Sequence, residues 1–135
     1  MIEVSISGAD KYCLQAKNKA NLTGTYVAWI SFANKTNAKD RVLNTKYIRT
    51  DGVKIADNKA DLIDGDLDAP IDRNEFGKFV INKTGVLTGT DRAGFADVGN
   101  TCNNWAGIAN NSSYNGTRGD ALSQSDAWTK KDALN

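Results

Sequence analysis

The densest run of chemistry-bearing side chains is Asp64-Gly65-Asp66-Leu67-Asp68, followed by Asp72, Asn74 and Glu75. Acidic residues at alternate positions of an irregular loop can turn several oxygens onto one hard cation, and calcium takes about six to eight such ligands. Asp64, Asp66, Asp68, Asp72 and Glu75 are therefore the candidate calcium ligands. The EF-hand pattern fails, because Gly65 is second in the run rather than sixth, and the competing reading is that these aspartates cap turns. Paired carboxylates such as Asp64 with Glu75, or Asp91 with Asp97, are what glycoside hydrolysis uses, but nothing in the sequence fixes their separation. Histidine is absent, which removes Ser-His-Asp and Cys-His catalysis and the usual nitrogen ligand for zinc. Cys13 and Cys102 stand far apart, make neither a four-thiolate zinc site nor a C-x-x-C pair, and form at most one intrachain disulfide. No phosphate-cradling glycine loop occurs. The expectation is a protein that is not an enzyme.

A second group suits recognition. Asn103, Asn104, Trp105, Asn110, Asn111 and Tyr114 place aromatic faces beside amides, a combination that stacks on a ligand and hydrogen-bonds its edge. The competing reading puts Trp105 in the core beside a buried cysteine, as it does more strongly for Trp29. Sequons at Asn21, Asn34, Asn82, Asn110, Asn111 and Asn115 read as a by-product of abundant Asn and Thr.

Lysine and arginine total 17 against 16 acidic residues, so there is no bulk field for nucleic acid or an anionic membrane. No apolar run is long enough to span a bilayer, and the opening Met-Ile-Glu-Val-Ser-Ile carries no signal pattern. If the protein is exported, the signal belongs to a longer precursor. At 135 residues the chain is expected to form one domain, loop-rich, with Asn and Asp supplying turns.

Several elements must hold these groups. Alternation over residues 2–7 predicts a strand, and Ala9, Tyr12, Cys13, Ala16 and Ala20 share a helical face, with the helix beginning after Ser7 or Gly8, Asp10 in its first turn, and Asn21 or Gly24 at its end. Residues 25–33, apolar on both faces, predict a covered central strand: Tyr26, Ala28, Ile30 and Phe32 point one way, Val27 and Trp29 the other. Short strands are expected over residues 41–43, 46–50 and 53–55, the last two joined at Asp51-Gly52, with a helical turn over 56–63 and strands over 78–81 and 86–89. Beyond Gly89 the pattern is weak, with strand candidates only at 101–106 and 126–130 and a long loop region between about 90 and 125.

The order of motifs resembles the C-type-lectin-like fold, in which a cysteine-bearing helix precedes a Trp-Ile-Gly-Leu type strand. More closely, the chain resembles a bacterial family of uncharacterised surface proteins known from spirochaete lipoproteins, endostatin-related in fold. The resemblance rests on Gly8-Ala9-Asp10 with Cys13, Ala28-Trp29-Ile30-Ser31, Ala60-Asp61-Leu62 through Asp64-Gly65, Pro70-Ile71 with Glu75 and Gly77, Leu87-Thr88-Gly89-Thr90, and Thr101-Cys102-Asn103-Asn104-Trp105. It implies an α+β domain with one or two helices packed on small antiparallel sheets. In the family pattern two further cysteines near the last strand pair with the earlier two; neither is present, so Cys13 and Cys102 are expected to be free, buried thiols, with one direct disulfide as the minority reading. The Glu-Pro-Asn and Trp-Asn-Asp motifs of calcium-dependent sugar binding are missing.

The resemblance implies non-enzymatic recognition at a bacterial surface, extracellular or cell-attached, as an adhesin or fibre-tip domain whose partner is a glycan or a surface protein of another cell. A structural domain that forms homo-oligomers, with a trimer as a guess, is the alternative, and a carboxylate-based glycoside hydrolase is the remote one.

Overall fold

The computed structural model describes residues 6–80, 85–102, 104, 105 and 115–134. Helix α1 (Ile6–Lys19) carries the helix formers Ala, Lys, Leu and Gln, and its half-buried stripe of Ile6, Ala9, Cys13 and Ala16 recurs at spacings of three and four. None of its residues is fully buried. It ends as expected: Asn21 takes φ 55°, and the Leu22 N–H reaches back to the Lys17 carbonyl at 3.0 Å. Its start corrects the sequence reading, because Ile6 and Ser7 are helical rather than part of a strand over 2–7, whose residues 2–5 lie outside the described residues. Asp10 is consequently in the second turn, and Tyr12 faces solvent.

The stretch 25–33 joins no sheet; its only bridge is the local Phe32–Thr36 pair, and Ala33 is already in a turn. The expected central strand is thus corrected, and the reason lies in where its backbone groups go. Ala28 N–H donates to Asp10 Oδ1 at 2.9 Å and Ala33 N–H to Asn104 Oδ1 at 2.7 Å, so side chains take two of these donors, while Ser31 N–H makes a single backbone bond to the Thr88 carbonyl at 3.3 Å. The burial pattern follows the alternation from Ala28 to Phe32, whereas Tyr26, expected on that same covered face, is exposed. Ala28, Ile30 and Phe32 enter one apolar cluster, with Cys102, Trp105, Ile6 and Ala9. Trp29 enters the other, with Ile55, Ala56, Leu62, Leu67, Ala69 and Trp128.

Helix α2 (Ala38–Arg41) occupies part of the segment expected to be a strand at 41–43. Strands β1 (Tyr47–Ile48) and β2 (Lys54–Ala56) pair antiparallel around Gly52 at φ 92°, and α3 (Lys59–Leu62) follows, capped by Asn58, which accepts from Asp61 N–H at 2.9 Å. The second sheet orders β3 (Val86–Leu87), β4 (Gly116–Gly119) and β5 (Asp132–Leu134), all antiparallel. The strand expected over 78–81 is reduced, in its described part, to the Arg73–Phe79 bridge. The one expected over 101–106 is a turn bridged to Gly116, and that over 126–130 is a 3-10 turn, Asp126–Trp128. The fold is a mixed α+β arrangement with helices packed against two small antiparallel sheets.

Strand β4 reads Gly-Thr-Arg-Gly, which propensity does not announce. Its glycines are required by proximity: a Cβ on Gly116 would lie 2.5 Å from Cys102 Sγ, and one on Gly119 would lie 2.0 Å from the Trp128 carbonyl oxygen. Between the two apolar clusters runs a layer of buried hydroxyls. Ser31 Oγ meets Thr90 Oγ1 at 2.8 Å and accepts from Ala38 N–H, Thr88 Oγ1 donates to the Thr129 carbonyl at 2.7 Å, and Trp29 Nε1 donates to Thr129 Oγ1 at 2.8 Å. Among the described residues every buried side-chain nitrogen and oxygen has a partner.

Candidate functional site

Of the recognition residues expected from sequence, Asn103, Asn110, Asn111 and Tyr114 lie outside the described residues. The other two form the stem of their loop. Asn104, at φ 53°, accepts from Ala33 N–H and from Thr101 Oγ1 at 2.9 Å through the same Oδ1. Trp105, at φ 66°, is 6% exposed and donates Nε1–H to the Ser31 carbonyl at 2.9 Å, so its ring is packed rather than displayed. Positive φ at a bulky residue persists only where packing over-determines it, and here the indole, the amide and the turn bonds do so together. Across the stem, Cys102 N–H donates to the Asn115 carbonyl at 2.8 Å, and Thr101 bridges to Gly116. Cys102 and Asn115, which flank the undescribed residues in sequence, are thus joined by a backbone hydrogen bond.

Both cysteines are free: Cys102 buried, Cys13 half-buried. Burial pushes both thiols up, and Asp10 adds to the effect at Cys13, so both are poor nucleophiles at neutral pH.

The five candidate calcium ligands do not come together as one set. Asp72 is buried in ion pairs with Arg49 at 3.1 Å and with Arg73, a clamp that ties the β1–β2 hairpin to the loop after Pro70. Arg49 also grips Asp51 and the Pro70 carbonyl. Asp64 caps its own turn, accepting from Asp66 N–H at 2.9 Å, while Asp66 bridges to Ser125 and Glu75 sits half-buried in the Asn74–Gly77 turn. Only Asp68 joins a cluster, and its companions are Asp57 and Asp61, whose carboxylate oxygens lie with it inside 4.8 Å. The sequence reading missed these two because they flank the start of α3 rather than belonging to the acidic run. Their Asp-x-x-x-Asp spacing around the Asn58 cap was the available signal.

Three carboxylates at that separation could hold a divalent cation, yet the protein supplies a cation of its own. Lys54 Nζ lies 2.8 Å from Asp57 and 3.0 Å from Asp68. Its hydrogen bond holds the Asp57 carboxyl below the usual carboxylate range, and Asp57 and Asp68 in turn push the lysine upward, keeping it charged. Asp61 accepts from Asp57 N–H at 2.7 Å, which holds the third carboxylate over the strand–helix junction.

The carboxylates suggested as hydrolase pairs are engaged elsewhere. Asp91 Oδ1 caps its turn with Ala93 and Phe95 N–H, both at 2.9 Å, and Asp97 accepts from the buried Thr117 hydroxyl and from Lys130 at 2.9 Å. Comparison with known families places this arrangement in context: the family described as protein of unknown function (DUF1554) matches residues 3–124. The chain belongs to that family. The match takes in the helix carrying Cys13, Asn104 with Trp105, and the acidic cluster, and ends at Gln124, before Trp128 of the first apolar cluster. No curated protein matches the chain. Among the described residues no helix is long and apolar enough to cross a membrane.

Proposed function

We propose that this chain is a non-enzymatic recognition module of a bacterial surface, built on a C-type-lectin-like scaffold, whose loop between Asn103 and Tyr114 engages a glycan or a protein of another cell's envelope. The observation that carries this reading is how the ends of that loop are held. Cys102 N–H to the Asn115 carbonyl, Asn104 to Ala33 and the packed Trp105 fix the two ends of the segment whose sequence carries Asn110, Asn111 and Tyr114. Binding residues are commonly placed on loops held by such scaffolds, because a fixed base lowers the ordering cost of association. On this reading Trp105 is an anchor, and Tyr114 with its neighbouring amides makes the contact.

Calcium, where it enters, belongs to Asp57, Asp61 and Asp68 and acts on the scaffold rather than bridging ligand. The protein operates outside the cell, carried there by a signal in a longer precursor.

The test is a broad glycan and matrix-protein array probed with the purified chain, followed by Tyr114→Ala and the Asn110→Ala/Asn111→Ala pair. Binding to one ligand class, reduced about tenfold or more by the loop variants with the thermal transition unchanged, is the expected result. A flat array, or binding indifferent to the loop variants, ends the proposal. Concentration-dependent self-association without any third-party ligand would favour the structural alternative.

A further inference from the structure

Helix α1 and the segment that follows its C-terminal turn enclose an open groove of about 450 Å³, a size suited to a small ligand. On the helix side Asp10, Lys11, Leu14 and Lys17 form one stripe at three- and four-residue spacings, and on the other side lie Thr25 and Tyr26. Two apolar side chains in it face water, Leu14 at 49% exposure and Tyr26 at 37%.

The charges in the groove are not balanced. Asp10 is spent: Oδ1 accepts from Ala28 N–H at 2.9 Å, and Oδ2 is paired with Arg41, whose guanidinium also donates to the Ala28 carbonyl. Lys11 and Lys17 make no ion pair among the described residues. With a helical rise of about 1.5 Å per residue, their backbone positions stand about 9 Å apart along the axis, with Leu14 between them. The groove therefore offers two ammonium groups around an apolar strip and an aromatic face, while its one carboxylate is neutralised from behind.

From this charge complementarity we infer that the α1 groove is a second binding site, separate from the loop on the Asn104–Trp105 stem, and that its occupant is a carboxylate-bearing oligosaccharide. The sugar ring lies against Tyr26 and Leu14, its hydroxyls meet the polar rim at Thr25, and its carboxylates meet Lys11 and Lys17. An acidic peptide shares the charge. The single ring platform with a hydroxyl-bearing rim suits a sugar better than the continuous apolar trough a peptide side-chain row requires.

The experiment is a titration of the isotope-labelled chain, followed by amide shifts and calorimetry, with a galacturonic acid tetramer, a neutral galactose tetramer of equal length, and a glutamate-rich peptide. The expected result is binding of the acidic tetramer alone, with shifts centred on residues 7–17 and 24–26. Its affinity should fall about tenfold or more in Lys11→Gln/Lys17→Gln and in Tyr26→Ala, and fall with added salt. Lys11 and Lys17 make no ion pair among the described residues, so the lysine variants keep the wild-type thermal transition. Equal binding of the neutral tetramer, tighter binding of the peptide, shifts confined elsewhere, or no binding of the acidic tetramer would each overturn the inference. Shifts confined to residues 103–114 would overturn this inference while favouring the loop proposal; the other outcomes leave that proposal, whose variants lie between Asn103 and Tyr114, untouched.

Discussion

Lys54 decides what the acidic cluster does. Its ammonium lies within 3.0 Å of two of the three carboxylates, and both partners and lysine are largely solvated, so the arrangement is a neutralised surface network rather than a strong structural bond. A calcium ion entering there must displace a resident cation. The wild-type chain is therefore expected to bind calcium weakly, and Lys54→Met to bind it about tenfold or more tightly, with Asp61→Asn on that background abolishing the gain. Calorimetric titration with calcium chloride measures this directly, and a Lys54→Met chain no tighter than wild type would show that the three oxygens do not act as a ligand set. Asp97 carries a different consequence. Burial pushes its carboxyl upward, but the Thr117 hydroxyl and Lys130 outweigh that and hold it below its ordinary value of 3.8. A carboxyl lowered by folding adds stability that is whole well above that value and is lost as pH falls through the folded value. Asp97→Asn should thus cost about 1–2 kcal/mol in urea unfolding at pH 7. The gap to wild type should narrow steadily below pH 3.8.

At the scale of elements, helix α1 is the longest helix among the described residues. It buries no residue completely and is tied down by the Asp10–Arg41 pair and by Asp10 to Ala28 N–H. Arg41 is itself nearly enclosed, its side chain 8% exposed, so removing it leaves Asp10 without its counter-charge. Arg41→Ala should lower stability by about 2–3 kcal/mol, and amide exchange of residues 9–19 should accelerate well beyond that of β4. Uniform acceleration across the chain would mean that α1 is not a separate unit. The sequence made this helix, the β1–β2 hairpin and the α3 turn legible, because periodicity, Asn21 and Asp51-Gly52 are local signals. It misled at 25–33, where apolar residues on two faces describe burial correctly but do not say that Asp10 and Asn104, distant in sequence, take the place of a strand partner. Strand β4 was hidden for a related reason, since Gly116 and Gly119 are dictated by Cys102 and Trp128, contacts that no window of sequence contains. The acidic run announced a cluster but not its members: Asp72 was claimed by Arg49, while Asp57 and Asp61 were supplied by the turn into α3.

The whole molecule stands on two small apolar clusters that share one extended segment, with Trp29 on one side and Ala28, Ile30 and Phe32 on the other. Neither cluster is large, and a layer of buried hydroxyls bonds to the segments that carry them. Thr129 is its hinge point, accepting from Trp29 Nε1 at 2.8 Å and donating to the Asp91 carbonyl at 3.3 Å, while its own carbonyl accepts from Thr88. Thr129→Val keeps the shape and removes both hydroxyl bonds, leaving the buried indole N–H unpaired at a cost of about 1–3 kcal/mol. If the layer couples the clusters, that loss falls on both. Indole emission separates them, because Trp105 reports one cluster and the Trp29–Trp128 pair, with ring centres 4.8 Å apart, reports the other. In a Trp105→Phe background the emission comes from the Trp29–Trp128 cluster alone while far-ultraviolet dichroism follows the whole chain, so the two should give one shared urea midpoint, and Thr129→Val should move both by the same amount. An emission midpoint that Thr129→Val shifts without an equal shift in dichroism would mean that the two clusters unfold independently, and the bonds around Trp105 would then be held by their own cluster alone.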